Sequence, residues 1–475
     1  MPDVLIVGAG SAGSVLAERL SADASCQVTL IEAGPAPSDP RVHAQISNGL
    51  RLPIGDASSV VHRYPTTLTV DPPRAAQIMR GAVVGGSGAV NGGYFCRGLP
   101  ADFDSWGLPG WSFSDVLPHF RAIETDLDFT NPLHGDDGPI AVRRVSEFDG
   151  CTASFVQAAT AAGHPWIPDL NGSTLEQPLG SGIGAVPLNI QQGTRVGPGG
   201  AYLQPAMNRP NLTLLADTRV LRILIADGRA VGVQAVGPDG PADLRGDRII
   251  LCSGAIGSAH LLMLSGIGPA DALQAAGIPV VADLPVGAAT SDHPEWVLPV
   301  HWAETHGVPP LEAVLTTADG LEIRPYTAGF GAMVSGRRDD PADHPHIGVA
   351  VMQPTSRGRL TVRTADPNTP PVIEHRYDSA PGDVALLRSG VGMVRELIGR
   401  TTGFGPVSWS TSQHLAGTAP MGVDGDDRAV VDPQCRVYGV DRLWVVDGSV
   451  LPAITSRGPH ASICMLGHRA AEFIG

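Results

Sequence analysis

Three glycines and one acid near the start of the chain have the spacing that phosphate chemistry needs. They stand in Gly8-Ala9-Gly10-Ser11-Ala12-Gly13 and in Glu32-Ala33, which closes the next apolar run. Gly8 permits a tight turn, Gly10 lets the backbone approach a pyrophosphate, and Gly13 lets helix and strand pack closely. The helix opening at Ser11 and Ala12 offers unpaired N–H groups and a positive dipole end. Glu32 is placed to accept hydrogen bonds from ribose hydroxyls, which disfavours a 2′-phosphate and hence NADP. The elements around these residues agree: Val4–Val7 reads as a strand, Val15, Leu16 and Leu20 as one face of a helix, and 26–31 as the next strand. This is a dinucleotide site, with FAD and NAD both open at this point.

A second glycine-rich loop, Arg80-Gly81-Ala82-Val83-Val84-Gly85-Gly86-Ser87-Gly88-Ala89-Val90-Asn91-Gly92, narrows the choice. With 254–269 and 431–448, it resembles the signatures of the glucose–methanol–choline (GMC) oxidoreductases nearly end to end. The resemblance implies FAD, with Gly81, Gly85, Gly86, Ser87, Asn91 and Gly92 along the flavin. It implies Val220 over the adenine and Asp447-Gly448 at the ribityl or diphosphate. Some members attach FAD through a histidine just before that asparagine. Here the position is Val90, so non-covalent FAD is expected.

Oxidising an alcohol by hydride transfer to flavin N5 requires a base within hydrogen-bond reach of the hydroxyl. His414-Leu-Ala-Gly-Thr-Ala-Pro-Met-Gly422 matches the family's stretch whose histidine is that base. Taken alone, one of 15 histidines would more often be structural. The family's second catalytic position, an Asn or His before the last helix, falls on Gly458. Three readings stay open there: His460 through a shifted loop, His414 acting alone, or Arg457 as a cationic donor for an acidic or highly polar substrate. His468 reads as structural. The function implied is FAD-dependent oxidation of a small alcohol, with electrons passed to oxygen, a quinone or a redox peptide cofactor such as mycofactocin. A flavin-containing lyase of the hydroxynitrile type, or a non-redox flavoprotein, is the alternative.

Composition sets outer limits. All 32 Lys+Arg positions are arginine, which removes lysine Schiff-base chemistry and a Walker lysine; a GC-rich coding sequence accounts for the bias. A net charge of −15 argues against nucleic-acid partners. The six cysteines are scattered without a CxxC pair and read as reduced thiols; no metal is expected. No apolar run is long enough to span a membrane. A strand starting at Asp3 leaves no room for an export signal, so a cytoplasmic location is expected. The expected architecture is α/β. A Rossmann-like FAD-binding domain (1–150, 200–290 and 410–475) carries a discontinuous α+β substrate-binding domain (151–199 and 291–409). No heptad or internal repeat speaks for an oligomeric state.

Overall fold

Five parallel strands form the central sheet, in the spatial order Leu212–Leu215, Gln27–Ile31, Asp3–Val7, Arg248–Leu251 and Leu443–Val445. These come from a computed structural model that describes residues 3–302, 305, 307–337, 340–399 and 403–475. A sheet covered on both faces needs near-continuous apolar strands. Val4, Ile6, Ile249, Ile250 and Leu251 are accordingly fully buried. Helix Ser11–Ser21 packs along helix His460–Ile474, so the two ends of the chain meet beside the sheet. Strands Arg219–Ala226 and Arg229–Gly237 form a hairpin across Asp227-Gly228. Both turn residues have positive φ, 50° and 74°, as a two-residue turn requires.

A second sheet has six antiparallel strands, ordered Ser408–Thr411, Pro294–Pro299, His346–Val351, Leu321–Pro325, Ala313–Thr316 and Gly182–Ala185. The strand Ser408–Thr411 crosses the boundary expected at 409. Side chains alternate between faces along each strand. Trp296, Ile323 and Val349 therefore join Leu387, Val391 and Val394 of helix Pro381–Ile398 in one apolar cluster. Glu295, Val297, Arg324 and His346 face a large cavity instead. A third unit, the hairpin Val61–Val70 with Pro73–Gly81, was not foreseen from the sequence. It lines the same cavity with His62, Tyr64, Met79 and Arg80. Among the described residues no helix is long and apolar enough to cross a membrane.

Away from the cavity lies a buried ionic cluster. His134 Nδ1 is 2.9 Å from Asp126 and 3.2 Å from Glu124, and its Nε2 is 2.8 Å from Asp169. Arg97 pairs with Glu124, while Arg144 pairs with Asp126 and Asp169. Glu124, Asp126 and His134 have metal-ligand atoms within 4.8 Å of one another. Arg97, Arg144 and a protonated His134 balance the three carboxylates, so the cluster reads as an ion-pair network. Burial alone would lower the His134 pKa. Hydrogen bonds to Asp126, Asp169 and Glu124 outweigh it and push the value up to about 10, from an ordinary 6.5. The folded chain thus holds a proton that the unfolded chain releases near 6.5. The stabilisation is complete below that pH and is lost as pH rises toward 10. Melting temperature should therefore fall more steeply from neutral to alkaline pH in the native protein than in His134→Gln. Parallel melting curves would refute this.

Candidate active site

The two glycine-rich loops touch. Gly86 has φ +54°, and a Cβ there would lie 2.6 Å from Gly10 Cα, so any side chain would push the loops apart. Beneath them opens a cavity of about 910 Å³. Of the positions expected to hold the cofactor, Gly8, Gly10, Ser11, Ala12, Glu32, Ala33, Gly81, Gly86, Ser87, Asn91, Gly92, Val220, Asp447 and Gly448 line it. Gly13 and Gly85 do not. Gly13 lies against the Gly8 carbonyl, where helix meets strand, and Gly85 turns the loop at φ +96° with its N–H on Ala9 O. Both shape the site without facing it.

These residues fit FAD. Helix Ser11–Ser21 begins at Gly10 with no side-chain cap, leaving N–H groups for phosphate. A Cβ on Gly10 would have nothing nearer than 3.8 Å, and one on Gly92 nothing within 4 Å, so both open onto space a ligand can fill. Glu32 is buried. Its carboxylate accepts from Ala9 N at 2.9 Å and Gly34 N at 3.0 Å, which leaves lone pairs for ribose hydroxyls. Burial raises its pKa to about 7, against the backbone N–H groups that lower it. Asn91 Oδ1 accepts from Gly93 N, which aims the amide. Val90, ahead of it, is an aliphatic side chain with no atom to bond a flavin. Asp447 spends its carboxylate inside the protein, on Gly254 N, Ser258 Oγ and Ser449 N. It ties the second signature segment to the last strand of the central sheet.

His414 lines the same cavity. Burial holds its pKa well below the usual histidine value, helped by neighbouring His293, Arg324 and Arg80. Its Nδ1 is 2.8 Å from His293 Nδ1, and His293 Nε2 is 3.0 Å from the Thr455 carbonyl. Asp292 Oδ1 accepts from the backbone N–H of both histidines at 2.8 Å. Sequence reasoning passed over Asp292 and His293. The only available signal was that Asp292-His293-Pro294 sits at the crossover into the six-stranded sheet.

Facing His414 is Gly458, where a Cβ would lie 3.3 Å from His414 Cε1 and 3.1 Å from the Tyr94 ring. Tyr94 therefore fills the space a second side chain would take. Its hydroxyl donates to Glu322 at 2.8 Å. His460 is not shifted into this position. It is the first residue of the last helix, and its Nδ1 lies 3.2 Å from Ser11 Oγ, with the ring against Phe95 and Gly88. Arg457 does not serve as a free cation either. It is buried and donates to Glu322 at 2.8 Å. Arg324 bridges Glu322 and Glu295, so this charge network is balanced within the protein. His468 is buried 2.9 Å from His119, between two helices.

Residues 2–295 match the N-terminal part and residues 354–467 the C-terminal part of the GMC oxidoreductases. The chain belongs to the GMC oxidoreductase family. This GMC oxidoreductase is 39% identical to an uncharacterized GMC-type oxidoreductase of Rhodococcus erythropolis, over 99% of this chain and 98% of that one. It is 32% identical to an oxygen-dependent choline dehydrogenase of Sinorhizobium medicae, over 99% and 95% of the two chains. Among solved structures, pyridoxine 4-oxidase from Mesorbium loti superposes with a TM-score of 0.87 at 28% identity, covering 99% of both chains. The family and these relatives imply an FAD-containing oxidoreductase.

Proposed function

We propose that this GMC oxidoreductase oxidises an alcohol to a carbonyl, with FAD held non-covalently and His414 as the general base. The observation that carries the reading is a half-buried imidazole lining the same cavity as the two glycine loops, with burial favouring its neutral form. When bound, FAD supplies a two-electron acceptor at N5. The protein's part is to position the alcohol and move its hydroxyl proton. A neutral imidazole can accept that proton, whereas an imidazolium cannot. Tyr94 donates its hydroxyl hydrogen to Glu322, and Gly458 offers no side chain, so His414 is the group left at this position to engage the alcohol oxygen. The N-terminus of helix His460–Ile474 opens beside the loops and favours negative charge there.

The relatives' names mention choline and pyridoxine, both alcohols, which supports a small alcohol here as well. The substrate side combines Tyr326, tilted against His346 at 4.6 Å between ring centroids, with apolar Leu311, Phe330 and Met333. It suits an alcohol with a ring or other apolar body. Electrons then leave to oxygen, a quinone or a redox peptide cofactor. Mixing the holoenzyme anaerobically with a panel of alcohols and amino-alcohols should bleach the flavin. Absence of bleaching by every member would overturn the redox reading and favour a lyase. Admitting oxygen to the reduced enzyme separates oxidase from dehydrogenase by the speed of reoxidation.

A further inference from the structure

We propose that His293 is a positioning residue that locks His414 in the tautomer whose Nε2 is the base, an inference that rests on the alcohol-oxidation reading. A backbone carbonyl only accepts hydrogen bonds, so the contact from His293 Nε2 to Thr455 O places a hydrogen on that nitrogen. Burial keeps His293 neutral, with a pKa near 4. Its Nδ1 therefore carries a lone pair, and that lone pair meets His414 Nδ1 at 2.8 Å. The hydrogen between them must sit on His414 Nδ1. In neutral His414 this leaves Nε2 as the lone-pair atom, and no partner for it occurs among the described residues.

The backbone holds both rings in place. Asp292 Oδ1 takes the two histidine N–H groups, while Oδ2 accepts from Tyr377 Oη and Thr411 Oγ1, each at 2.9 Å. Gln413, just before the base, has a left-handed φ of 64°, and its amide oxygen accepts from Met79 N at 2.8 Å. The rings meet nearly edge to face, at 88° and 5.1 Å between centroids. The charged groups around the pair are Arg324, Arg80, Asp292 and Glu322.

The arrangement acts in two ways. Without the acceptor on His293, His414 could carry its hydrogen on Nε2 and have no lone pair for the alcohol proton. Once Nε2 has taken that proton, the Nδ1–H of the new imidazolium donates a charge-assisted bond to His293. This offsets part of the cost of a buried cation near Arg324 and Arg80.

The test uses holoenzyme with ring-¹⁵N-labelled histidine, the His414 signals being those lost in His414→Gln. The wild type should show His414 protonated at Nδ1 and free at Nε2, whatever its substrate. His293→Phe keeps a ring but removes both nitrogens. It should retain flavin, populate both tautomers and reduce flavin with alcohol about 100-fold more slowly in kcat, with KM little changed. His293→Asn offers an acceptor oxygen near the former Nδ1 and should recover most of that loss. The proposal is overturned by a wild-type His414 protonated at Nε2, or by a flavin-loaded His293→Phe with unchanged tautomer and rate. If no alcohol reduces the wild type, the alcohol reading fails and the tautomer spectrum still decides the role of His293.

Discussion

Replacing His414 with alanine is expected to leave a yellow, folded protein that oxidises alcohol about 10²- to 10⁴-fold more slowly. The flavin should remain because the residues that hold a dinucleotide lie elsewhere. The uncapped helix start at Gly10, the carboxylate of Glu32 and the close approach of the loops at Gly86 draw on groups of their own rather than on the imidazole. Among the described residues in contact with His414, in contrast, none can replace it as proton acceptor. His293 is buried with Nε2 on a carbonyl, Tyr94 has committed its proton, and Gly458 has no side chain. Anaerobic stopped-flow reduction at saturating alcohol measures the effect directly. A variant that reduced its flavin at the native rate would remove His414 from the mechanism.

Gly13→Ala should have the opposite profile, losing the cofactor and stability together. A Cβ at Gly13 would lie 2.0 Å from the Gly8 carbonyl oxygen and 3.1 Å from Cys252 Cβ. Both neighbours belong to the central-sheet junction, so neither can rotate away as a flexible side-chain end could. Helix Ser11–Ser21 must lift from the strand, and its free N–H groups move off the phosphate position. Overpacking of this kind costs about 3 kcal/mol, and the same displacement should weaken FAD binding by about 100-fold or more. The protein should purify largely colourless, with a lower melting point that added FAD only partly restores. Gly92→Ala is the control. Its Cβ would meet no protein atom within 4 Å, so the apoprotein should melt as the native one does, while a side chain intrudes into the ligand space. Equal melting points for apo Gly13→Ala and the native apoprotein would refute the packing argument.

These two outcomes mark where the primary structure suffices. The fingerprint at residues 8–13 with Glu32 was readable because its contacts close within one strand–turn–helix–strand unit. The Asp227-Gly228 turn was readable because two adjacent positive φ values demand such residues. His414 was readable through its neighbours in the chain. What the tertiary structure decided is which side chains meet. His293 meets His414 across 121 residues and Thr455 across 162, and Arg457 meets Glu322 across 135. No spacing rule connects such positions; strand register and helix placement do. The same physics placed the side chains around Gly458. The His460 imidazole meets Ser11, and the Tyr94 ring lies against Gly458. The dinucleotide fingerprint is written locally in the chain, while the hydrogen-bond chain from His414 through His293 to Thr455 is one that only the folded molecule assembles.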